Sequence, residues 1–242
     1  MYDITRFTLA DMTNCGVSLR QICPEATSME QAARATVRYL YENLHGPEGR
    51  ACALVRMYKT HPYADLPTEL RDFGRELIQT ETLDEATKCL TLLATVGEEP
   101  AWNDRHASRG HKSVPLLSKQ AVERFPMIAQ MVQHFGIPIA SLLGEAKPEI
   151  LRDLDQKTYN VFYVPETHIH GPYIPAQEDF VIPYRIKSAL GFGGALPSGN
   201  LFAVIMFIKV PIPMETARMF RTIAINVKMN LLRFAGGKLF AD

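Results

Sequence analysis

The chain has 242 residues, 47% of them hydrophobic, with 26 basic and 26 acidic side chains. A chain this apolar can bury a sizeable core, and balanced charge leaves no long-range field to draw in a nucleic acid, so no nucleic-acid partner is expected. Charges at Asp3, Arg6 and Asp11 interrupt the N-terminus, and the longest apolar run, Leu201 to Ile208, is too short to cross a bilayer as a helix; a cytoplasmic protein without a membrane partner is expected.

The four cysteines, Cys15, Cys23, Cys52 and Cys89, form no C-x-x-C pair, which removes a zinc knuckle and a thioredoxin motif. Apolar positions from Phe7 to Ile22 predict a helical stretch that Pro24 ends. Ser28-Met-Glu-Gln31 has the S-x-x-Q form of a capping box. Met29, Ala32, Ala33, Thr36, Val37, Leu40 and Leu44 then follow at helical spacing. Ala51 to Tyr58 reads as a strand, residues 67–79 as a helix opened by Pro67, and Cys89 to Val96 as a second strand. Residues 97–115 are a long polar connection, and Ser118 to Phe135 is a helix that Pro126 breaks.

Tyr159 to Val164 is rich in β-branched and aromatic residues and reads as a strand. A proline-rich loop covers 165–178, and Phe180 to Pro183 and Ile186 to Gly194 read as extended. Leu201 to Val210 is a strong strand. Pro213 opens a last helix whose buried face is Ala217, Phe220, Ile223, Ala224, Val227 and Leu231. The glycines of Leu190-Gly-Phe-Gly-Gly-Ala195 precede the turn Leu196-Pro-Ser-Gly-Asn200 and another strand. A phosphate loop needs a helix after its glycines, so these belong to a hairpin, where strand glycine marks a bulge or a close backbone approach.

The segment Phe180-Val-Ile-Pro-Tyr-Arg-Ile-Lys-Ser-Ala-Leu-Gly-Phe192 resembles the GAF-domain strand that carries a serine before the penultimate hairpin strand. Asn200 to Val210 followed by Met214 to Lys228 is similar to the final GAF strand and C-terminal helix. Cys89 to Trp102 and Phe125 to Gln130 resemble an uncharacterised bacterial sensory module of the same kind, found ahead of signalling domains. The resemblance spans about residues 28–232. It implies an α+β, GAF/PAS-like fold: a central antiparallel sheet flanked by helices, with a ligand pocket on one side. Residues 1–27 would be an N-terminal helical segment and 28–242 the GAF-like sensory domain, with a long insertion at about 97–158. Homodimerisation through terminal helices and a signalling partner are further implications.

On that frame a pocket for a small-molecule ligand is expected between the sheet and the 97–115 and 165–180 loops. Its candidate residues are Trp102, Asn103, Arg105, His106, His111, Tyr163, Tyr173 and Gln177. The competing reading of the 102–111 stretch is a solvated loop anchored by Trp102. His168 and His170 lie two apart, so in an extended segment both imidazoles, with Glu166, face one side and can meet a metal. A surface loop is the alternative. A porphyrin would need an apolar slot and an axial histidine or cysteine, and no particular cofactor is indicated. No G-x-S-x-G, H-E-x-x-H or kinase signature occurs. The expected function is non-catalytic ligand sensing in bacterial signal transduction. The rivals are a redox- or metal-dependent enzyme of GAF-like fold and a dimeric adaptor with an empty pocket.

Overall fold

The computed structural model describes residues 1–136, 138–143, 161–168, 174 and 176–241; Tyr173, His170 and the whole 144–160 stretch lie outside them. The chain order is β1 (Tyr2–Asp3), α1 (Leu9–Gln21), α2 (Met29–Asn43), β2 (Leu44–Gly46), β3 (Gly49–Arg50), β4 (Cys52–Pro62), α3 (Thr68–Ile78) and β5 (Lys88–Gly97). Then follow β6 (Ser113–Pro115), α4 (Lys119–Glu123), α5 (Pro126–His134), α6 (Ile139–Leu142), β7 (Val161–Pro165), β8 (Ser188–Ala195), β9 (Leu201–Ile208) and α7 (Met214–Leu232). The main sheet has six strands in the order β6-β5-β4-β9-β8-β7, every neighbouring pair antiparallel. Strands β1, β2 and β3 form a small second sheet that the hydrophobic pattern does not announce.

The fold is α+β, as predicted, with the antiparallel sheet between two layers. On one face, Val55, Met57, Leu93, Phe192, Phe202, Val204 and Met206 pack with α1, α2 and α7, and Phe7 and Phe220 stack at 5.6 Å. On the other face, Leu54, Tyr58, Leu92, Ala203, Ile205 and Phe207 pack under α4, α5 and the loops around Trp102 and Phe180. Both faces being covered, Leu201–Ile208 is buried throughout and its sequence is a continuous apolar run without alternation. Each large side chain so buried stabilises the fold by about 1.5–3 kcal/mol.

Local chemistry explains the boundaries. Ser28 caps α2 by accepting from the Gln31 N–H at 3.3 Å. The return bond of the expected capping box reaches one residue further back, where Gln31 Oε1 accepts from the Thr27 N–H at 2.8 Å. Helix α1 carries a full box between Thr8 and Asp11. Pro67 sits just before α3, at its N-cap, and not at its first helical position. Gly193 answers the question raised by the glycine cluster: a Cβ there would lie 2.1 Å from the Phe202 carbonyl oxygen and 3.0 Å from the Phe135 ring. The β8–β9 turn closes with Gly199 at a φ of 74° and the Leu196 N–H bonding the Asn200 carbonyl at 2.7 Å. The stretch Phe180 to Pro183 departs from expectation. Instead of running extended, it lies in a π-type turn over Gln177–Val181 and the turn residues after it. The N–H groups of Val181 and Ile182 reach back five residues to the carbonyls of Ala176 and Gln177, which turns the Phe180 ring onto Phe207 of the sheet, 4.8 Å away.

Candidate functional site

Strand β4 alternates, so Leu54, Arg56 and Tyr58 share one face and Val55, Met57, Lys59 and His61 the other. The first trio, with Ile205 and Phe207 of β9, floors a cavity of about 200 Å³. Trp102, His111, Met127 of α5 and Phe180 wall it. Larger depressions include a broad groove of about 850 Å³ beside the β2–β3 turn, a shallow one of about 450 Å³ at the C-terminal end of α3, and a cavity of about 310 Å³ beyond the end of β4. The Trp102 cavity joins aromatic and aliphatic walls to a few convergent polar groups, the pattern of small-molecule sites.

The wall is a packed aromatic cluster. Trp102 meets Phe180 edge-on at 5.5 Å and Tyr184 at 4.5 Å, and the Tyr184 hydroxyl donates to Glu99 at 3.0 Å. Gly97 at the end of β5 admits the indole, because a Cβ there would lie 2.7 Å from Trp102 Cε3 and 2.8 Å from the Ala53 carbonyl oxygen. Asn103 closes the turn between them: it accepts from the Gly97 N–H at 3.2 Å and donates to the carbonyls of Gly97 and Glu99 at 3.1 and 2.9 Å.

Arg56 supplies the charge. Its guanidinium donates to the Ser108 hydroxyl at 2.9 Å, the Tyr58 hydroxyl at 3.2 Å and the Gly110 carbonyl at 3.3 Å, and its Nε is buried without a partner. Among the described residues no carboxylate forms an ion pair with it. His111, at a φ of 54° and edge-on to Phe125 at 5.9 Å, stands at the solvent-accessible rim. Restricted hydration first, and the Arg56 charge second, hold its imidazole below the ordinary range, which keeps it neutral at pH 7.

The expected site residues separate into groups. Trp102 and His111 line the cavity. Asn103 and Gln177 build its walls from behind; Gln177 donates to the carbonyls of Ile174 at 2.7 Å and Thr167 at 3.2 Å. Three others are placed elsewhere. Arg105 is buried in an ion pair with Glu30 at 2.8 Å, His106 and Lys112 share Glu69 on the surface, and Tyr163 packs on the helix-covered face with its hydroxyl donating to the Ile212 carbonyl. His168 is exposed, and no group of three metal-ligating side chains occurs among the described residues. Arg56, Tyr58, Phe180, Ile205 and Phe207 are cavity residues that sequence reasoning passes over. The available signal was an arginine inside the otherwise apolar strand Ala51 to Tyr58.

No protein-family model and no curated protein matches the sequence. Among solved structures, the phycoerythrobilin-bound GAF domain from a cyanobacterial phytochrome is similar over 92% of this chain and 95% of its own, at 11% identity and a TM-score of 0.39. A likeness this distant carries no argument about the chemistry of the cavity.

Proposed function

We propose that this chain is a non-catalytic, GAF-like sensory domain in bacterial signal transduction, binding a small, largely apolar acid in the Trp102 cavity. The observation that carries the reading is Arg56, a guanidinium held by neutral groups inside an aromatic cavity, with no carboxylate of the described chain to neutralise it. A ligand carboxylate completes the pair, and the apolar walls take its body. At about 200 Å³ the cavity lies below the ~300–1,000 Å³ of drug-sized sites, which favours a single ring or a short chain.

The floor of the cavity also offers a route outward. Ile205 and Phe207 lie on β9, which leads within a few residues into α7. A ligand acts through that route only by binding one arrangement of α7 better than another. The redox-enzyme alternative finds little support in the thiols: burial pushes Cys15, Cys52 and Cys89 up to about 12 each, so none is a thiolate at pH 7. Homodimerisation is carried as part of the same reading. Val17 on α1 and Ile225 and Met229 on α7 are exposed apolar side chains on neighbouring helices, and light scattering of wild type against polar variants at these positions tests it.

Native mass spectrometry of the purified full chain, with thermal unfolding against a panel of small aromatic and aliphatic acids, tests the ligand reading. A ligand at 100 times its Kd stabilises by about 2.7 kcal/mol. A retained acid or a saturable stabilisation supports the proposal. Bare protein that no member of the panel stabilises would leave the empty-pocket adaptor.

A further inference from the structure

The opposite face of the sheet carries the cavity of about 310 Å³, between the end of β4, the β8–β9 turn, the last turn of α7 and the residues that follow it. Lys59, His61 and Asn200 line it, with Leu196, Leu231 and Phe234 as apolar walls. Lys59 is 5% exposed and His61 1%. The Lys59 ammonium donates to His61 Nδ1 at 3.0 Å and to the Thr60 carbonyl at 3.3 Å. That bond makes Nδ1 the acceptor and places the imidazole proton on Nε2, which is buried without a partner. His61 is therefore neutral, and burial and then Lys59 both push its pKa well down.

The charges around Lys59 do not neutralise it. Asp65 attracts it from an exposed position on the cavity rim, Lys88 repels it while donating to the Gly199 carbonyl at 2.9 Å, and no described carboxylate reaches ion-pair distance of its Nζ. Burying an ammonium without a counter-charge opposes folding, and packing alone would be better served by a methionine. A roof ties the place to the chain beyond α7. The N–H groups of Met29 and Glu30 bond the Lys238 and Leu239 carbonyls at 3.0 and 2.9 Å, and the Phe240 ring lies 5.9 Å from His61.

We propose that this cavity is a second ligand site, for a short-chain aliphatic carboxylate whose anionic end pairs with Lys59 and whose chain lies against Leu196, Leu231 and Phe234. Occupancy then bears on the last turn of α7 and the segment after it. The site is distinct from the Trp102 cavity, and it stands or falls separately.

The test is calorimetric titration of the full chain with hexanoate and with hexan-1-ol as the uncharged control, and an NMR record of the His61 ring. Hexanoate is expected to bind at least tenfold more tightly than the alcohol and to shift the His61 resonances. Lys59→Met and Lys59→Gln should each weaken the binding reported by the His61 resonances at least tenfold, and Arg56→Met should leave that His61-reported binding unchanged. Equal affinity for acid and alcohol, no binding of hexanoate, or undiminished binding in both Lys59 variants would overturn the proposal. So would binding that disappears with Arg56→Met while the His61 resonances stay still, which would place hexanoate in the Trp102 cavity.

Discussion

Replacing Lys59 by methionine isolates the cost of holding an ammonium inside this fold. Burial chiefly, opposed by Asp65 and aided by Lys88, pushes its pKa from 10.5 down to about 8. At about 1.36 kcal/mol per pH unit that fall amounts to about 3 kcal/mol. The folded pKa lies below the unfolded one, so between about pH 8 and 10.5 the unfolded chain binds the extra proton. The whole cost is therefore present at pH 7 and disappears as pH rises through that window. Methionine has similar length but leaves His61 Nδ1 without its donor, a loss of about 1 kcal/mol. The variant should then be more stable than wild type by about 2 kcal/mol near pH 7, and the gap should close and reverse by about pH 10.5. Urea unfolding of both proteins at several pH values measures the gap, and groups common to the two cancel. A difference that stays constant with pH would refute the reasoning, because it would mean that Lys59 titrates alike in the folded and unfolded chains.

Other perturbations read other parts of the structure. Gly97→Ala drives a Cβ to 2.7 Å from the Trp102 ring and 2.8 Å from a backbone oxygen, so it should cost about 1–3 kcal/mol and shift the emission of the chain's single tryptophan; unchanged emission would contradict the packing described. Glu30→Gln leaves Arg105 charged beneath Phe240 with side-chain exposure near 5%, and should cost about 3–5 kcal/mol in urea unfolding, whereas Glu30→Met with Arg105→Met should recover most of it. A thiol reagent should label Cys23 alone in the native protein and all four cysteines only after unfolding, because Cys15, Cys52 and Cys89 are buried and Cys23 is not.

Much of the architecture was legible from periodicity. The apolar spacing of 29–43 and 214–232, the break at Pro126 and the hairpin turn at 196–200 all depend on local chemistry, and they stand where that chemistry puts them. The 180–183 stretch was not legible. Its aromatic and β-branched residues suit a strand, but five-residue backbone bonds and the contact of Phe180 with Phe207 prevail there, a tertiary effect over a local preference. The site was legible in outline only. Trp102 and His111 follow from the polar loop that carries them, yet Arg105 lies in the same loop and turns to Glu30, a partner 75 residues away that no local pattern reveals. Arg56 was overlooked for the opposite reason. A strand was recognised by its apolar neighbours, and the one charge among them carried no local spacing to mark it as a site residue.

The most direct measurement is a fluorescence titration of Trp102 with benzoate and with benzyl alcohol, in wild type and in Arg56→Met. Saturable binding of benzoate at least tenfold tighter than of the alcohol, about 1.4 kcal/mol or more, is expected in wild type, with loss of that preference in the variant. Equal binding of acid and alcohol, or a preference that survives removal of the guanidinium, would contradict it.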